Sequence, residues 1–158
     1  MKFRLVAVGR GMPAPALAMF EDYSRRLERH GGLELVEVAE HRRTGAGDER
    51  TRQALADEAA RLLPKVEGYG PLIALDRGGR MLSSPELAHM LGQLRDEGER
   101  QICLLCGGPD GLAPELLQRA WLRLSFGPMT FPHMLFRVML AEQIYRAMTL
   151  LAGVPYHR

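Results

Sequence analysis

Five short apolar runs alternate along this chain with segments of helical periodicity, and that alternation restricts the fold more than any other feature. Residues 2–9 (KFRLVAVG), 33–38 (LELVEV), 71–76 (PLIALD), 101–106 (QICLLC) and 122–126 (LRLSF) are rich in β-branched or continuously apolar residues and too short for helices. Between the first two, Leu17, Phe20, Tyr23 and Leu27 recur at helical spacing, and Gly31-Gly32 closes that helix. Residues 41–47 form a polar, glycine-containing loop. Leu55, Ala59, Leu62 and Leu63 then mark a helix running from a capping Asp48 to about Val66. Ser83 and Glu86 have capping-box spacing around Pro85, so a third helix starts there. A short helix follows over residues 114–121. Residues 127–133 hold two prolines and predict a loop, and residues 134–151 form one long apolar helix. The order β-α-β-α-β-α-β-α-β-loop-α predicts a single α/β domain over residues 1–158, with a parallel sheet covered on both faces.

Composition narrows the function classes. The chain is 46% hydrophobic and 25% charged, the balance of a globular protein and not of a disordered one. No apolar run reaches the ~18 residues of a membrane span. Residues 1–5 lead into a strand without a signal-peptide pattern, and two cysteines make no disulfide framework, so the expected compartment is a reducing cytoplasm. The net charge of +2 hides an asymmetry. Residues 116–158 carry five arginines (119, 123, 137, 146 and 158) against one acid, Glu142, whereas residues 1–115 carry 16 basic and 18 acidic side chains. Such a split hints at a polyanionic partner.

Gly9-Arg10-Gly11-Met12-Pro13-Ala14 matches G-x-G-x-x-A between a strand and a helix, the setting of a dinucleotide-binding turn, with Glu37 or Glu40 placed as a ribose-binding acid. Pro13 and Pro15 restrict that turn, and an ordinary βα turn is the favoured reading. Cys103 and Cys106 form C-x-x-C inside a strand, where positions three apart face opposite sides and cannot share a metal. The five histidines show no zinc spacing, and neither G-x-S-x-G nor a P-loop is present. Gly107-Gly108-Pro109-Asp110-Gly111 lies at the C-terminal end of a core strand, the edge where open α/β sheets bind ligands. With the proline-stiffened loop after the next strand, it can wrap a flat, mostly apolar ligand such as an adenosine. The last helix suits a subunit interface or a central core position equally. On it Glu142 and Arg146 are i,i+4, in the orientation of an ion pair that can equally be a solvated salt bridge. Tyr156, His157 and Arg158 offer stacking, proton handling and phosphate contact.

Leu5-Val6-Ala7-Val8-Gly9, Leu75-Asp76, the glycine run from Gly107 to Gly111, Thr130-Phe131-Pro132-His133, Arg137-Val138, the Ala141-Glu142-Gln143 and Tyr145-Arg146-Ala147 segments and Tyr156-His157-Arg158 together resemble one family along the whole chain. It is the bacterial large-subunit rRNA pseudouridine N3-methyltransferase family, a minimal member of the SPOUT class. The resemblance implies an α/β fold with a deep C-terminal trefoil knot, which no local sequence rule would propose. It implies S-adenosyl-L-methionine as cofactor, a homodimer with the last helix in its interface, and methylation of N3 of a pseudouridine in helix 69 of 23S rRNA on assembled ribosomes, with no metal and no membrane. Carried over, the cofactor contacts fall on Leu75, Gly108, Gly127, Pro128, Met129, Thr130, Phe131 and Pro132, and the active-site positions on Glu142, Arg146, Tyr156, His157 and Arg158. Arg146 or Arg158 would face the anion left when the N3 proton departs. His157 would accept that proton, with Glu142 as the rival base or as the group holding Arg146. Two other classes compete: a nucleotide-binding oxidoreductase using residues 9–14, and a non-catalytic RNA- or ribosome-binding module.

Overall fold

Strand alternation sends residues of one run to opposite faces, and both faces here are apolar, so the runs pair into a parallel sheet that helices must cover twice. The structure, a computed structural model, describes residues 1–41 and 47–156; most of the loop expected over residues 41–47, as well as His157 and Arg158, lies outside the described residues. The strands are β1 (Lys2–Val8), β2 (Leu33–Val38), β3 (Leu72–Met81), β4 (Gln101–Cys106) and β5 (Leu122–Ser125), and the helices are α1 (Ala14–Leu27), α2 (Asp48–Val66), α3 (Ser84–Asp96), α4 (Pro114–Arg119) and α5 (His133–Leu151). The five strands pair in the order β2-β1-β4-β3-β5, every pairing parallel.

Phe3, Leu5, Ala7, Ile73, Ile102 and Leu104 face one side and pack with Leu91 of α3 and Leu140, Ala141 and Ile144 of α5. Val6, Val8, Ala74, Cys103 and Leu105 face the other, against Ala59 and Leu62 of α2 and Leu116 of α4. Cys103 and Cys106 fall in different clusters, as strand alternation requires. Burial pushes the Cys103 thiol to about 12 and that of Cys106 to about 11, so both are inert core residues near neutral pH. α5 lies against both α1 and α3, which makes it a core helix on that side. Leu135, 43% exposed, shows that its N-terminal half is also open to a partner.

The local signals mostly hold. Ser83 and Glu86 form a reciprocal capping box at α3. Asp48 is not the cap: Gly47 precedes α2 at φ 145°, and Asp48 sits in the first turn, where a carboxylate suits the helix dipole. α4 stops at Arg119, two residues short of expectation. The larger difference is β3, which continues five residues beyond the predicted end at Asp76. Leu75 and Arg80 both stand opposite Leu124, so residues 76–79 loop out between two stretches of pairing with β5. The sheet order also places β3 between β4 and β5. Connections from its two neighbours thus leave on opposite sides of β3, creating the crevice that doubly covered sheets use for ligands.

Candidate active site

A cavity of about 730 Å³ opens at this crevice, a volume typical of small-molecule sites. Leu75, Asp76 and Arg77, where β3 loops out, form one wall, Cys106 with residues 107–111 after β4 a second, and Leu124 with the loop after β5 a third. The two loops therefore do not follow adjacent strands, as the sequence suggested; β3 separates them and supplies its own wall. Among the sequence-predicted cofactor residues, Leu75, Gly108, Gly127, Met129, Thr130, Phe131 and Pro132 line this cavity. Pro128 does not; it is exposed beside the loop.

The loop is held by its own chemistry. The Ser125 hydroxyl, 5% exposed, donates to the Arg77 carbonyl at 3.1 Å and accepts from the Gly127 amide at 3.2 Å, which ties the loop to β3. Phe136 packs its ring 4.7 Å from Phe126 and 6.2 Å from Phe131, so the first turns of α5 brace the loop from behind. After β4, a Cβ on Gly107 would stand 2.1 Å from the Gly111 carbonyl oxygen, so only glycine allows this turn to fold on itself. Sequence reasoning missed Asp76, Arg77 and Phe136 as wall residues, whereas His133 ends the loop it expected around the ligand. Asp76 had a signal, because it ends an apolar run at the ligand-binding edge; Arg77 depends on where β3 loops out, and Phe136 on how α5 docks.

The glycine turn after β1 has a different fate. The Arg137 side chain is fully buried beneath it, with Nη2 donating to the carbonyls of Val8 at 2.6 Å and Gly9 at 3.0 Å, and Nη1 to Glu37 at 2.7 Å. A Cβ on Gly9 would meet His133, Arg137 and Met134 within 3.4 Å. The space where a pyrophosphate would approach is filled, and the candidate ribose acid Glu37 is committed to Arg137. The dinucleotide reading of residues 9–14 is therefore set aside.

Glu142, Arg146 and Tyr156 do come together, at the opposite end of α5. Arg146 donates to Glu142 Oε1 through Nε at 2.9 Å and Nη2 at 2.6 Å, and Gln143 donates to Oε2 at 2.7 Å. Tyr156 Oη reaches Oε1 at 3.4 Å, while the Arg146 guanidinium lies 4.9 Å from the Tyr156 ring centre. The hydrogen bond with Glu142 raises the Arg146 pKa further, so that side chain remains a cation. Burial first, then a hydrogen bond with Tyr23 and the Glu142 charge, push Tyr156 up to about 12, which keeps its phenol protonated. None of these three residues lines the crevice cavity. Glu142 and Gln143 instead border a second, largely apolar cavity of about 560 Å³ with Met19, Met81, Leu135 and Met139. The two cavities share Leu124, Ser125 and Phe126 as a common wall.

The charge split also changes meaning. Arg119 pairs with Glu67 at 3.2 Å, Arg123 with Asp76, Arg137 with Glu37 and Arg146 with Glu142. Each described arginine of the C-terminal quarter is thus matched by a carboxylate, three of them supplied from earlier in the chain.

Comparison with known proteins agrees with this architecture. The family described as "Predicted SPOUT methyltransferase" matches residues 1–157. Proteins named ribosomal RNA large subunit methyltransferase H are 54% identical in Magnetococcus marinus, over 99% of both chains, and 51% identical in Rhodospirillum centenum, over 100% of this chain and 99% of that one. A probable methylase family protein from Haemophilus influenzae superposes with a TM-score of 0.55 at 11% identity, over 99% of this chain and 70% of that chain, and shows the fold alone. Crevice, loop and full-length similarity converge: the chain belongs to the SPOUT methyltransferase family, alongside the large-subunit ribosomal RNA methyltransferases H.

Proposed function

We propose that this chain transfers a methyl group from S-adenosylmethionine to N3 of a pseudouridine in helix 69 of 23S rRNA, as a cytoplasmic homodimer acting on assembled 70S ribosomes. The observation that carries the reading is the cavity at the end of β3, bounded by Gly108 and the loop 127–132, in a chain similar over its full length to ribosomal RNA methyltransferases. The trefoil knot implied by the resemblance would run through this C-terminal region. The lining suits the cofactor: Leu75, Met129, Phe131 and Phe136 offer apolar faces, and Gly107 and Gly108 put no side chain into the cavity. When bound, S-adenosylmethionine supplies a methyl group already activated on a sulfonium sulfur.

The chain's own residues then orient the base and handle the proton on N3. Arg146, held as a cation, stabilises the anion that forms between two ring carbonyls. Glu142 already accepts from Arg146, Gln143 and Tyr156, which suits a group that orients Arg146 better than one that takes a proton. Histidine is the side chain suited to accepting a proton near neutral pH, and that role goes to His157, with Arg158 as a second cation toward the RNA. Tyr156 stays protonated and packs or hydrogen-bonds the base.

Length along α5 supports the dimer. At 1.5 Å per residue, Glu142 and Arg146 lie about 14 and 20 Å along α5 from His133 at the cavity wall. Group transfer needs reacting atoms about 3 Å apart. A second subunit laid over the apolar cavity beside α5, with its helix reversed, would bring one chain's cluster to the other's crevice. Met19 and Met81, 52% and 67% exposed, would be covered by it.

The test is to incubate the protein with labelled S-adenosylmethionine and 70S ribosomes from a strain lacking this methyl group. Label at N3 of the helix 69 pseudouridine is expected. Cofactor binding without label would overturn the reading, and ribosome association without transfer would mark a non-catalytic RNA-binding module. In single turnover, a near-normal rate for His157→Ala would remove its role as proton acceptor.

A further inference from the structure

We propose that the looped-out segment of β3, residues 76–79, together with Arg80 where pairing resumes, is a grip for RNA backbone phosphates, with Arg77 and Arg80 as the contacting cations. The inference rests on the ribosomal RNA reading above and names a part of the molecule that holds the substrate.

The first observation is charge. An arginine locked to a carboxylate presents a dipole at a distance, not a full charge, so the four described arginines of the C-terminal quarter contribute little long-range pull on phosphates. Arg77 and Arg80 are exposed, and among the described residues neither forms an ion pair with a carboxylate; the charge of Arg80 reaches Glu86 only as a weaker attraction beyond ion-pair distance. The acid of their own segment, Asp76, is taken by Arg123 through Nε at 2.8 Å. Among the described residues, other exposed cations without an ion pair, such as Lys2, Arg10, Arg29, Arg52, Lys65 and Arg100, line neither cavity.

Position is the second observation. Asp76 and Arg77 line the crevice cavity, while Met81, at the end of the segment, lines the apolar one. The segment therefore bridges the rims of both cavities, where an RNA strand must pass to deliver a base between them.

Rigidity is the third. A Cβ on Gly79 would lie 2.6 Å from the Arg123 carbonyl, so glycine at this position lets the segment pack backbone against backbone on β5. Ser125 holds the Arg77 carbonyl, and the Asp76–Arg123 pair closes the base. The two guanidiniums project from a fixed platform, which lowers the ordering cost of each phosphate contact.

The experiment measures binding of the full chain to 70S ribosomes lacking the methyl group, without cofactor, between 50 and 200 mM salt. It compares wild type with Arg77→Gln, Arg80→Gln and the double variant, and measures S-adenosylmethionine affinity by calorimetry in parallel. Each variant is expected to bind ribosomes more weakly, with the salt slope reduced by about 0.7–0.9 per arginine, and Arg80→Gln, outside the crevice lining, is expected to keep the wild-type cofactor affinity. A double variant that keeps the wild-type slope overturns the grip, as does a wild-type chain that does not bind ribosomes. Loss of cofactor affinity in Arg77→Gln overturns it for Arg77 and assigns that cation to the cofactor. The methylation assay separates the two claims: ribosome binding with the expected slopes but no methyl transfer would sink the enzymatic reading and leave the grip standing.

Discussion

Two glycine turns end two adjacent strands, β1 and β4, at the same edge of the sheet, and they have opposite fates. The turn after β1 carries the better-known sequence pattern, yet it is plugged from below by Arg137 and His133. The turn after β4 matches no named motif and opens on the crevice. A glycine-rich turn supplies exposed amides; whether a ligand can use them depends on what a distant element brings to the same place. Here α5 does both jobs, as its first turns fill one turn and brace the loop that walls the other.

The contrast can be broken at the plug. Arg137→Met leaves Glu37 and two buried carbonyls without their donor, and breaking a buried pair costs about 3–5 kcal/mol. Glu37 is 26% exposed, so the lower end applies. Thermal unfolding should shift down by about 6–12 °C. An unchanged melting temperature would mean that the plug is not structural.

At the open turn, Gly107→Ala forces a methyl onto the Gly111 backbone. Such overpacking costs about 1–3 kcal/mol, and because the distortion sits in the cavity wall, S-adenosylmethionine affinity should fall about 10- to 100-fold in a calorimetric titration. Gly11→Ala is the matched control on the plugged turn. Nothing lies within 4 Å of its added Cβ, but φ is +79°, so it should cost about 1 kcal/mol of stability and leave cofactor affinity unchanged. Equal loss of affinity in both variants would erase the distinction between the turns.

The smallest effect concerns Cys106, which ends β4 just before the open turn. Its thiol, raised by burial to about 11, should ignore a thiol reagent at pH 8 and react only after unfolding. A raised thiol pKa means that this group's contribution to stability is intact below its ordinary value of 9 and is lost between pH 9 and about 11. Rapid modification of the native chain at pH 8 would show that the crevice floor is open to water.

Local sequence signals explain why the elements were legible and the site only partly so. The capping box at Ser83 and the apolar runs act within a few residues, so strand and helix positions could be read directly. The looped-out end of β3 could not, because Arg77-Gly78-Gly79-Arg80 has the composition of a turn and its pairing partner Leu124 is far along the chain. The insertion of β4 between β1 and β3 is likewise a nonlocal choice. By sequence Arg137 is one more arginine of a basic segment, since its burial depends on Glu37, a hundred residues earlier. Leu75 and the loop 127–132 were placed by resemblance to a family, and geometry then gathered most of them around one cavity. It did not gather Glu142, Arg146 and Tyr156 there, a separation that sequence spacing within one chain could not reveal.

Two methionines report on the two turns. Met12 lies in the turn after β1, 8% exposed, and Met129 lines the crevice, 70% exposed. Methyl NMR of the labelled methionines during titration with S-adenosylmethionine tests the central claim directly. The Met129 signal should move to saturation while Met12 stays still. Movement of Met12 with Met129 unchanged would place the ligand at the wrong turn and contradict this account.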